Sequence, residues 1–240
     1  MDLRNAVVLI TGSGGGIGKA AIQALLEAGV TKIYATTRLE GTDVGVDDPR
    51  LVKLALDVTD QASIAAAARQ CSDVTVLINN AGVNFNAPVL DPLDTEWARH
   101  EIEVNYLGSL SVTRAFAPVL VANGGGTVVN VLSILSRVNH PGMATYCASK
   151  AALYSATQAM RAQLGKLGTH VLAFMPGAVD TRLTAHLDIP KLTTEETAGA
   201  LVDALRDDIH DAYPGDMASA VAAGLAEDHK AVEAMFAEFI

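Results

Sequence analysis

Cysteine and basic residues are both scarce in this chain, and each shortage excludes a class of protein. The 240 residues include two cysteines, Cys71 and Cys147, which are too few and too far apart for a disulfide framework or a zinc site. Lys and Arg number 17 against 27 Asp and Glu, which leaves a formal net charge of −10. Nucleic acids and anionic membranes bind basic patches. We therefore expect no metal, no nucleic-acid partner and no membrane partner.

Long hydrophobic runs are missing as well. No stretch reaches the ~20 apolar residues that a membrane-spanning helix needs, although half of all residues are apolar. Residues 1–12 hold only a short apolar run without a cleavage site, so we expect neither a signal peptide nor an anchor. We therefore expect the protein to be cytoplasmic. The apolar content suits one α/β domain that spans residues 1–240.

Short β-branched apolar runs alternate with longer amphipathic segments. Uninterrupted apolar runs are typical of strands buried on both faces of a parallel sheet. They predict strands at 6–10, 32–37, 51–56, 74–78, 127–132 and 170–175, with 208–213 as a short last candidate. Helices are predicted at 17–28, 60–70, 96–122 (kinked or shortened by Pro118), 145–167, 194–206 and 217–239. This order predicts a doubly wound Rossmann fold whose mostly parallel, seven-stranded sheet is flanked by helices. An extra C-terminal helix (216–240) would pack on its own domain or on a neighbouring subunit.

A glycine-rich turn follows the first predicted strand. The six-residue dinucleotide fingerprint that starts at Gly12 needs glycine at position 17 and finds Ile17, but T-G-x-x-x-G-x-G fits through Gly12, Gly16 and Gly18. Glycines there let the backbone approach a pyrophosphate at the positive end of the next helix. A flexible turn is the competing interpretation, and the position between a strand and a helix favours dinucleotide binding.

The end of the second predicted strand bears on the choice of cofactor. An acidic residue there would bind the ribose 2′-hydroxyl of NAD, whereas arginine accommodates the 2′-phosphate of NADP. The strand ends in Thr36, Thr37 and Arg38, and Glu40 comes too late. The sequence therefore favours NADP, with NAD as the alternative.

A tyrosine and a lysine suggest the chemistry. Tyr146 and Lys150 are four residues apart, a spacing that places both on one face of a helix. An ammonium near a phenol favours the phenolate, so we expect the pKa of Tyr146 to fall from about 10 toward working pH. Such a tyrosine can exchange a proton with a substrate oxygen. Ser133 precedes the tyrosine by thirteen residues.

Seven motifs in order resemble the short-chain dehydrogenase/reductase family. They are TGSGGGIG (11–18), LDV (56–58), NNAG (79–82), VNYLG (104–108), VVNVLS (128–133), YCASK (146–150) and PGAVDT (176–181). Together they cover about residues 7–181, and their common order makes the match specific.

The resemblance implies roles for these residues. Tyr146 would be the catalytic acid/base, Lys150 would lower its pKa and bind the nicotinamide ribose, Ser133 would polarise the substrate carbonyl, and Asn105 would bind a water linked to Lys150. The residues that would contact the cofactor are Gly12, Ser13, Gly16, Ile17, Gly18, Thr37, Arg38, Asp57, Val58, Asn80, Ala81, Gly82, Tyr146, Lys150, Pro176, Gly177, Val179 and Thr181.

The resemblance implies an NADP(H)-dependent ketoreductase or alcohol dehydrogenase. An NAD-linked dehydrogenase acting mainly in oxidation is the alternative, because relatives that use NADP often carry a basic residue where this chain has Gly15. A nicotinamide-binding protein without catalysis is a third reading, and the intact set of Ser133, Tyr146, Lys150 and Asn105 argues against it.

The substrate and the assembly are less specified. We expect a small, mostly apolar carbonyl or alcohol, because the segment 182–192 is short and mostly apolar, with further pocket walls from 83–86 and 134–143. His140 and His186 are expected to line this pocket rather than to catalyse, and Cys147 to be a small buried side chain rather than a reactive thiol. The resemblance also implies a homodimer or homotetramer through the helices at 96–122 and 145–167.

Overall fold

Seven parallel strands form the centre of the protein. The computed structural model describes residues 1–90 and 95–239. The strands are β1 (Val7–Ile10), β2 (Lys32–Thr37), β3 (Leu51–Ala55), β4 (Val76–Asn79), β5 (Gly126–Val131), β6 (Thr169–Phe174) and β7 (Asp211–Ala212). Their order is β3-β2-β1-β4-β5-β6-β7, and each neighbouring pair is parallel. The predicted doubly wound sheet is confirmed.

Helices cover both faces of this sheet. They are α1 (Gly16–Glu27), α2 (Gln61–Gln70), α3 (Glu96–Glu101), α4 (Ser109–Ala122), α5 (Ala144–Leu164), α6 (Thr194–Arg206), α7 (Gly215–Glu227) and α8 (His229–Phe236). Alternate residues of a strand serve opposite faces. In β1, Val8 and Ile10 join the core beneath α1 and α6, whereas Leu9 joins the core beneath α2, α4 and α5. Because all neighbouring strands are parallel, their carboxyl ends meet at one edge of the sheet. This edge is where α/β sheets bind ligands.

The long helix predicted at 96–122 has a more complex form. A π-helical segment, Ile102–Gly108, joins α3 to α4, and no sequence pattern predicted it. Such segments often occur at functional sites, and this one carries Asn105. The helix does not end at Pro118, since α4 continues to Ala122. The prediction that Pro118 shortens it is wrong.

The predicted tail helix at 217–239 is also corrected, because the structure divides it into α7 and α8. Asp228 lies between them in an extended conformation, and its carboxylate accepts hydrogen bonds from the backbone N–H groups of Lys230 (2.9 Å) and Ala231 (3.1 Å). This cap starts α8 and turns the chain, so that Val232 packs back against Gly224 of α7. Both helices pack on the chain's own domain, over Ile134 and Val138.

In residues 1–90 and 95–239, none of the helices is both long and apolar enough to cross a bilayer. In the same ranges, no cluster of three or more His, Cys, Asp or Glu side chains is arranged to hold a metal ion.

Candidate active site

The glycine turn after β1 is shaped by close backbone approaches. Gly12 has φ +68°, and a Cβ atom there would lie 2.8 Å from the Cα of Ala81. At position 18 a Cβ would lie 2.5 Å from the Gly12 carbonyl oxygen and 2.6 Å from Nδ2 of Asn80. Gly15, by contrast, faces open space. The turn therefore lets α1 begin directly beside β1 and β4, with Gly14, Gly15 and Gly16 exposed to a cleft.

Two predicted cofactor residues of this turn face the protein interior. The Ser13 side chain is fully buried, and its hydroxyl donates to the Ile10 carbonyl at 3.0 Å. Gly18 lies within the packing of α1 against the turn. Neither residue lines the cleft, whereas Gly12, Gly16 and Ile17 do. Ser13 and Gly18 therefore make their closest contacts with the residues of the turn.

The ends of β2 and β3 form one end of the cleft. Arg38 is exposed and lines the cleft beside Thr37 and Val58. Hydrogen bonds from Thr59 hold the pKa of Asp57 below its usual value, and the nearby Arg38 guanidinium contributes to that shift. The basic side chain and this carboxylate are thus neighbours at the place predicted for the adenosine ribose.

The loop after β4 forms the floor of the cleft. Asn80 donates through Nδ2 to the carbonyl oxygens of Thr11 (2.9 Å) and Gly12 (3.1 Å). The hydroxyl of Thr11 accepts from the backbone N–H groups of Asn80 (2.9 Å) and Ala81 (3.0 Å). The loop and the glycine turn are therefore held together as one rigid backbone surface. Gly82 continues this surface toward Lys150, whose Nζ would lie 3.5 Å from a Cβ at position 82.

Ser133, Tyr146 and Lys150 meet at the centre of the cleft. Ser133 follows the end of β5, and its Oγ accepts a hydrogen bond from the Leu135 backbone N–H at 3.2 Å. Tyr146 and Lys150 lie one turn apart on α5, with Nζ 5.7 Å from the centre of the tyrosine ring. The Ser133 hydroxyl interacts with the phenol of Tyr146. The three side chains are up to 17 positions apart in the sequence. The packing of α5 beside β5 brings them together.

The expected fall in the pKa of Tyr146 is not found. Burial raises the pKa of this phenol above its ordinary value of 10.0; the charges of Cys147 and Glu101 add to the rise, and the Ser133 hydrogen bond opposes it. The Lys150 ammonium, which donates to the Val131 carbonyl at 2.8 Å, does not reverse this rise. Burial also lowers the pKa of Lys150 from 10.5 to about 8. Tyr146 is therefore a neutral phenol near pH 7.

Asn105 and Glu101 fix the loop that borders Tyr146. Asn105 donates through Nδ2 to the Val83 carbonyl (2.9 Å) and to Ser149 Oγ (2.9 Å), and its Oδ1 accepts from the Val83 N–H (2.8 Å). Both amide hydrogens are thus taken by protein atoms, which leaves one lone pair of Oδ1 for the water that the resemblance implies. Glu101, one turn earlier and fully buried, accepts from the Phe85 N–H at 2.8 Å.

The segment after β6 closes the cleft from the other side. Pro176, Gly177, Val179 and Thr181 all line it. A Cβ added at Gly16 would lie 3.3 Å from Cγ2 of Thr181, so the glycine turn and this segment nearly touch across the opening. The predicted cofactor residues, apart from Ser13 and Gly18, therefore surround one cleft of about 960 Å³.

The sequence of this chain matches a known protein family. The family described as short chain dehydrogenase matches residues 6–191, more than three-quarters of the chain. The chain belongs to the short-chain dehydrogenase family. It is thus an oxidoreductase by family.

Individual members of the family resemble the chain over most of its length. A crystal structure of a short chain dehydrogenase from Burkholderia cenocepacia, in complex with NADP, shares 42% identity and a TM-score of 0.93, covering 98% of this chain and 99% of its own. A sorbitol dehydrogenase from Cereibacter sphaeroides is 34% identical over 75% of this chain and 73% of its own length. An NADPH-dependent 1-acyldihydroxyacetone phosphate reductase from Schizosaccharomyces pombe is 36% identical over 73% of this chain and 60% of its own.

Some residues that line the cleft of this dehydrogenase were not predicted from the sequence. Apolar side chains of the predicted segment 182–192 are present as expected, but others come from α7, α8 and the residues after them. Those from this C-terminal region are Met217, Val221, Met235, Phe236 and Phe239. They lie beyond residue 191, where the family match ends. The amphipathic pattern of 217–239 was the one available signal, and it does not say which surface the helix covers.

The structure shows where the two histidines and the cysteine predicted near the pocket lie. His140 lines the cleft as predicted, and burial lowers the pKa of its imidazole, which stays neutral at pH 7. His186 is exposed and does not line the cleft, so that part of the prediction is wrong. Cys147 is buried with its Sγ 3.3 Å from the His140 backbone N–H, and burial raises its pKa to about 11. It is a small buried side chain, as expected.

Proposed function

We propose that this dehydrogenase transfers a hydride between NADP(H) and a mostly apolar ketone or secondary alcohol, with Tyr146 as the acid/base. The observation that carries the proposal is the meeting of Ser133, Tyr146 and Lys150 in one cleft with the glycine turn of Gly12 and Gly16.

The cleft residues fit a dinucleotide. Side chains at Gly12 and Gly16 would clash with or crowd their neighbours, whereas the space at Gly15 is open, so backbone N–H groups at the start of α1 face a large opening. Such an N-terminus favours a pyrophosphate. The predicted cofactor residues that surround this opening would hold the adenosine and nicotinamide halves on either side of it. A bound nicotinamide dinucleotide supplies or accepts the hydride.

The side chains supply the proton and the orientation. In reduction, Tyr146 donates the proton of its phenol to the substrate oxygen, and the Ser133 hydroxyl holds that oxygen in place. Lys150 faces the same cleft and is positioned by the Val131 carbonyl. Because the pKa of Tyr146 is raised, the proton needed for reduction is present at neutral pH. Oxidation needs the phenolate, so its rate should rise with pH while reduction stays level until the phenol ionises.

Replacing the phenol tests this assignment. We expect Tyr146→Phe to lower kcat for ketone reduction about a thousandfold and to leave the Kd of NADPH within about twofold, measured by calorimetry. Tyr154→Phe is the matched control, since Tyr154 lies on the same helix with its hydroxyl 3.3 Å from Asp211 and does not line the cleft. Substantial activity in Tyr146→Phe would exclude the acid/base role. A wild-type protein that binds NADPH and turns over no carbonyl would favour a binding protein without catalysis.

Arg38 supports NADP over NAD. It is the exposed cation at the end of β2, and the similar proteins from B. cenocepacia and S. pombe are described with NADP and NADPH. Arg38→Ala should weaken NADPH binding about tenfold or more and leave NADH binding unchanged. Arg69→Ala, which removes an exposed cation from α2, is the control. Equal affinity of the wild-type enzyme for NADH and NADPH would instead support the NAD-linked dehydrogenase, to which the neutral Gly15 points.

We also propose a homodimer or homotetramer. Leu107, in the π-helical segment just before α4, and Val121, in the last turn of α4, are exposed apolar side chains (38% and 40%). Exposed apolar surface favours association. Sedimentation equilibrium measures the assembly, and a monomer at micromolar concentration would contradict it.

A further inference from the structure

Two helices beyond the family match present exposed apolar side chains to the cleft. Along α8, Val232 and Phe236 are four residues apart and pack into a buried cluster with α7. Met235 lies on α8, and Phe239 follows the end of this helix by three residues. Both line the cleft, and they are 49% and 48% exposed. We call Met217, Met235 and Phe239 the C-terminal wall.

Two members of the C-terminal wall contact other segments that line the cleft. A Cβ at Gly177 would lie 3.1 Å from the sulfur of Met217, so Met217 covers that backbone. The Phe239 ring stacks on the imidazole of His140, with centroids 5.3 Å apart and planes at 17°. His140 in turn bonds through its backbone N–H to Cys147, the residue after Tyr146. Phe239 is thus linked through His140 to the residue next to Tyr146, and Met217 packs on the Gly177 backbone.

A second group of residues that line the cleft is apolar as well. Leu183 and Ile189, 37% and 39% exposed, line it together with Leu187. Exposed apolar side chains grouped around one opening mark a place where a ligand covers them. Among the described residues lining this half of the cleft, Arg182 is the one charged side chain besides Lys150, and it is exposed. An anionic substituent would therefore leave its charge against a largely apolar surface.

We propose that the C-terminal wall selects carbonyl substrates with an extended, uncharged apolar substituent, and that Met217, Met235 and Phe239 are specificity-determining residues. This inference rests on the proposed ketone reduction. The substituent extends from Tyr146 between the wall and the Leu183–Ile189 side. Each methylene that enters removes apolar surface from water on both the ligand and the protein, which strengthens binding.

A homologous series of methyl ketones, from 2-butanone to 2-decanone, tests the inference with NADPH as the reductant. We expect kcat/KM to rise about two- to fourfold for each added CH₂. The double variant Met235→Ser/Phe239→Ser should lose at least about tenfold of the preference for 2-decanone over 2-butanone. Leu167→Ser is the matched control, because Leu167 is equally exposed (52%) but precedes β6 at the opposite edge of the sheet. A flat series, or a slope that the double variant leaves unchanged, would overturn the inference.

Two further arms separate the possible failures. Preference for 9-oxodecanoate over 2-decanone would show that Arg182 governs selection and would overturn the uncharged class. Binding of 2-decanol to the NADPH-loaded enzyme, a pair that cannot react, is measured by calorimetry and should weaken in the double variant. If no ketone is reduced but 2-decanol binding depends on the wall in this way, the proposed reaction fails and the apolar wall stands.

Discussion

The two ends of the cleft are built from different materials. At the glycine turn the surface is backbone, held by hydrogen bonds of Thr11 and Asn80 and by the lack of side chains at Gly12 and Gly18. At the C-terminal wall the surface consists of side chains, those of Met217 on α7, Met235 on α8 and Phe239 just after α8. A backbone surface tolerates almost no added atom, whereas methionines and partly exposed rings can repack. The glycine turn therefore suits a single ligand of fixed shape, whereas the C-terminal wall suits substrates of different sizes.

The largest expected effect is at the backbone end. Gly18→Ala places a methyl group 2.5 Å from the Gly12 oxygen and should cost about 3 kcal/mol of unfolding free energy, because neither backbone nor Asn80 can move freely. Gly15→Ala is the control, since its Cβ meets no atom within 4 Å, and should cost under about 1 kcal/mol. Urea denaturation measures both. Similar costs at the two positions would show that this backbone is less rigid than its contacts indicate.

Lys150 lies between the two ends, and its buried charge predicts a pH effect of at most about 3 kcal/mol. Its pKa is about 8 in the folded protein against 10.5 for an ordinary lysine, so between these values the unfolded chain binds more protons. The stability of the wild type relative to Lys150→Met should therefore rise from pH 8 to pH 10.5 and stay constant below pH 8. Denaturation at pH 7, 9 and 10.5 measures the difference. A relative stability that falls with pH would mean that Lys150 keeps an ordinary or raised pKa.

The smallest expected effect is at the side-chain end. Asp228→Ala removes the cap of α8 and should cost about 1 kcal/mol, or a fall in Tm of roughly 2–4 °C. Because Met235 lies on α8 and Phe239 directly follows it, selectivity for long ketones should decline while the Kd of NADPH stays constant. Asp228→Asn, which keeps a capping oxygen, should restore both stability and selectivity. A parallel loss of NADPH affinity would show that the two ends of the cleft are coupled.

Local patterns predicted much of the fold and the backbone end of the site. The apolar runs located six strands to within a few residues, because strands buried on both faces need uninterrupted apolar sequence. The glycines at 12, 16 and 18 identified the turn, since their role depends on the local absence of Cβ atoms. The Tyr146–Lys150 pair was placed on one helical face by its spacing alone. Asp228 was overlooked as a cap, because it lies inside an otherwise helical apolar pattern.

Sequence by itself determined the doubly wound sheet, the glycine turn, the order of the motifs and membership of the dehydrogenase family. Only the tertiary structure decided that the phenol of Tyr146 is harder to ionise, that Ser13 and Gly18 face inward, and that the C-terminal helices form a wall of the cleft. The reason is physical: turns, caps and helical faces depend on residues within one or two turns of the chain. Desolvation and cleft shape depend on segments brought together from distant positions, such as Phe239 on His140.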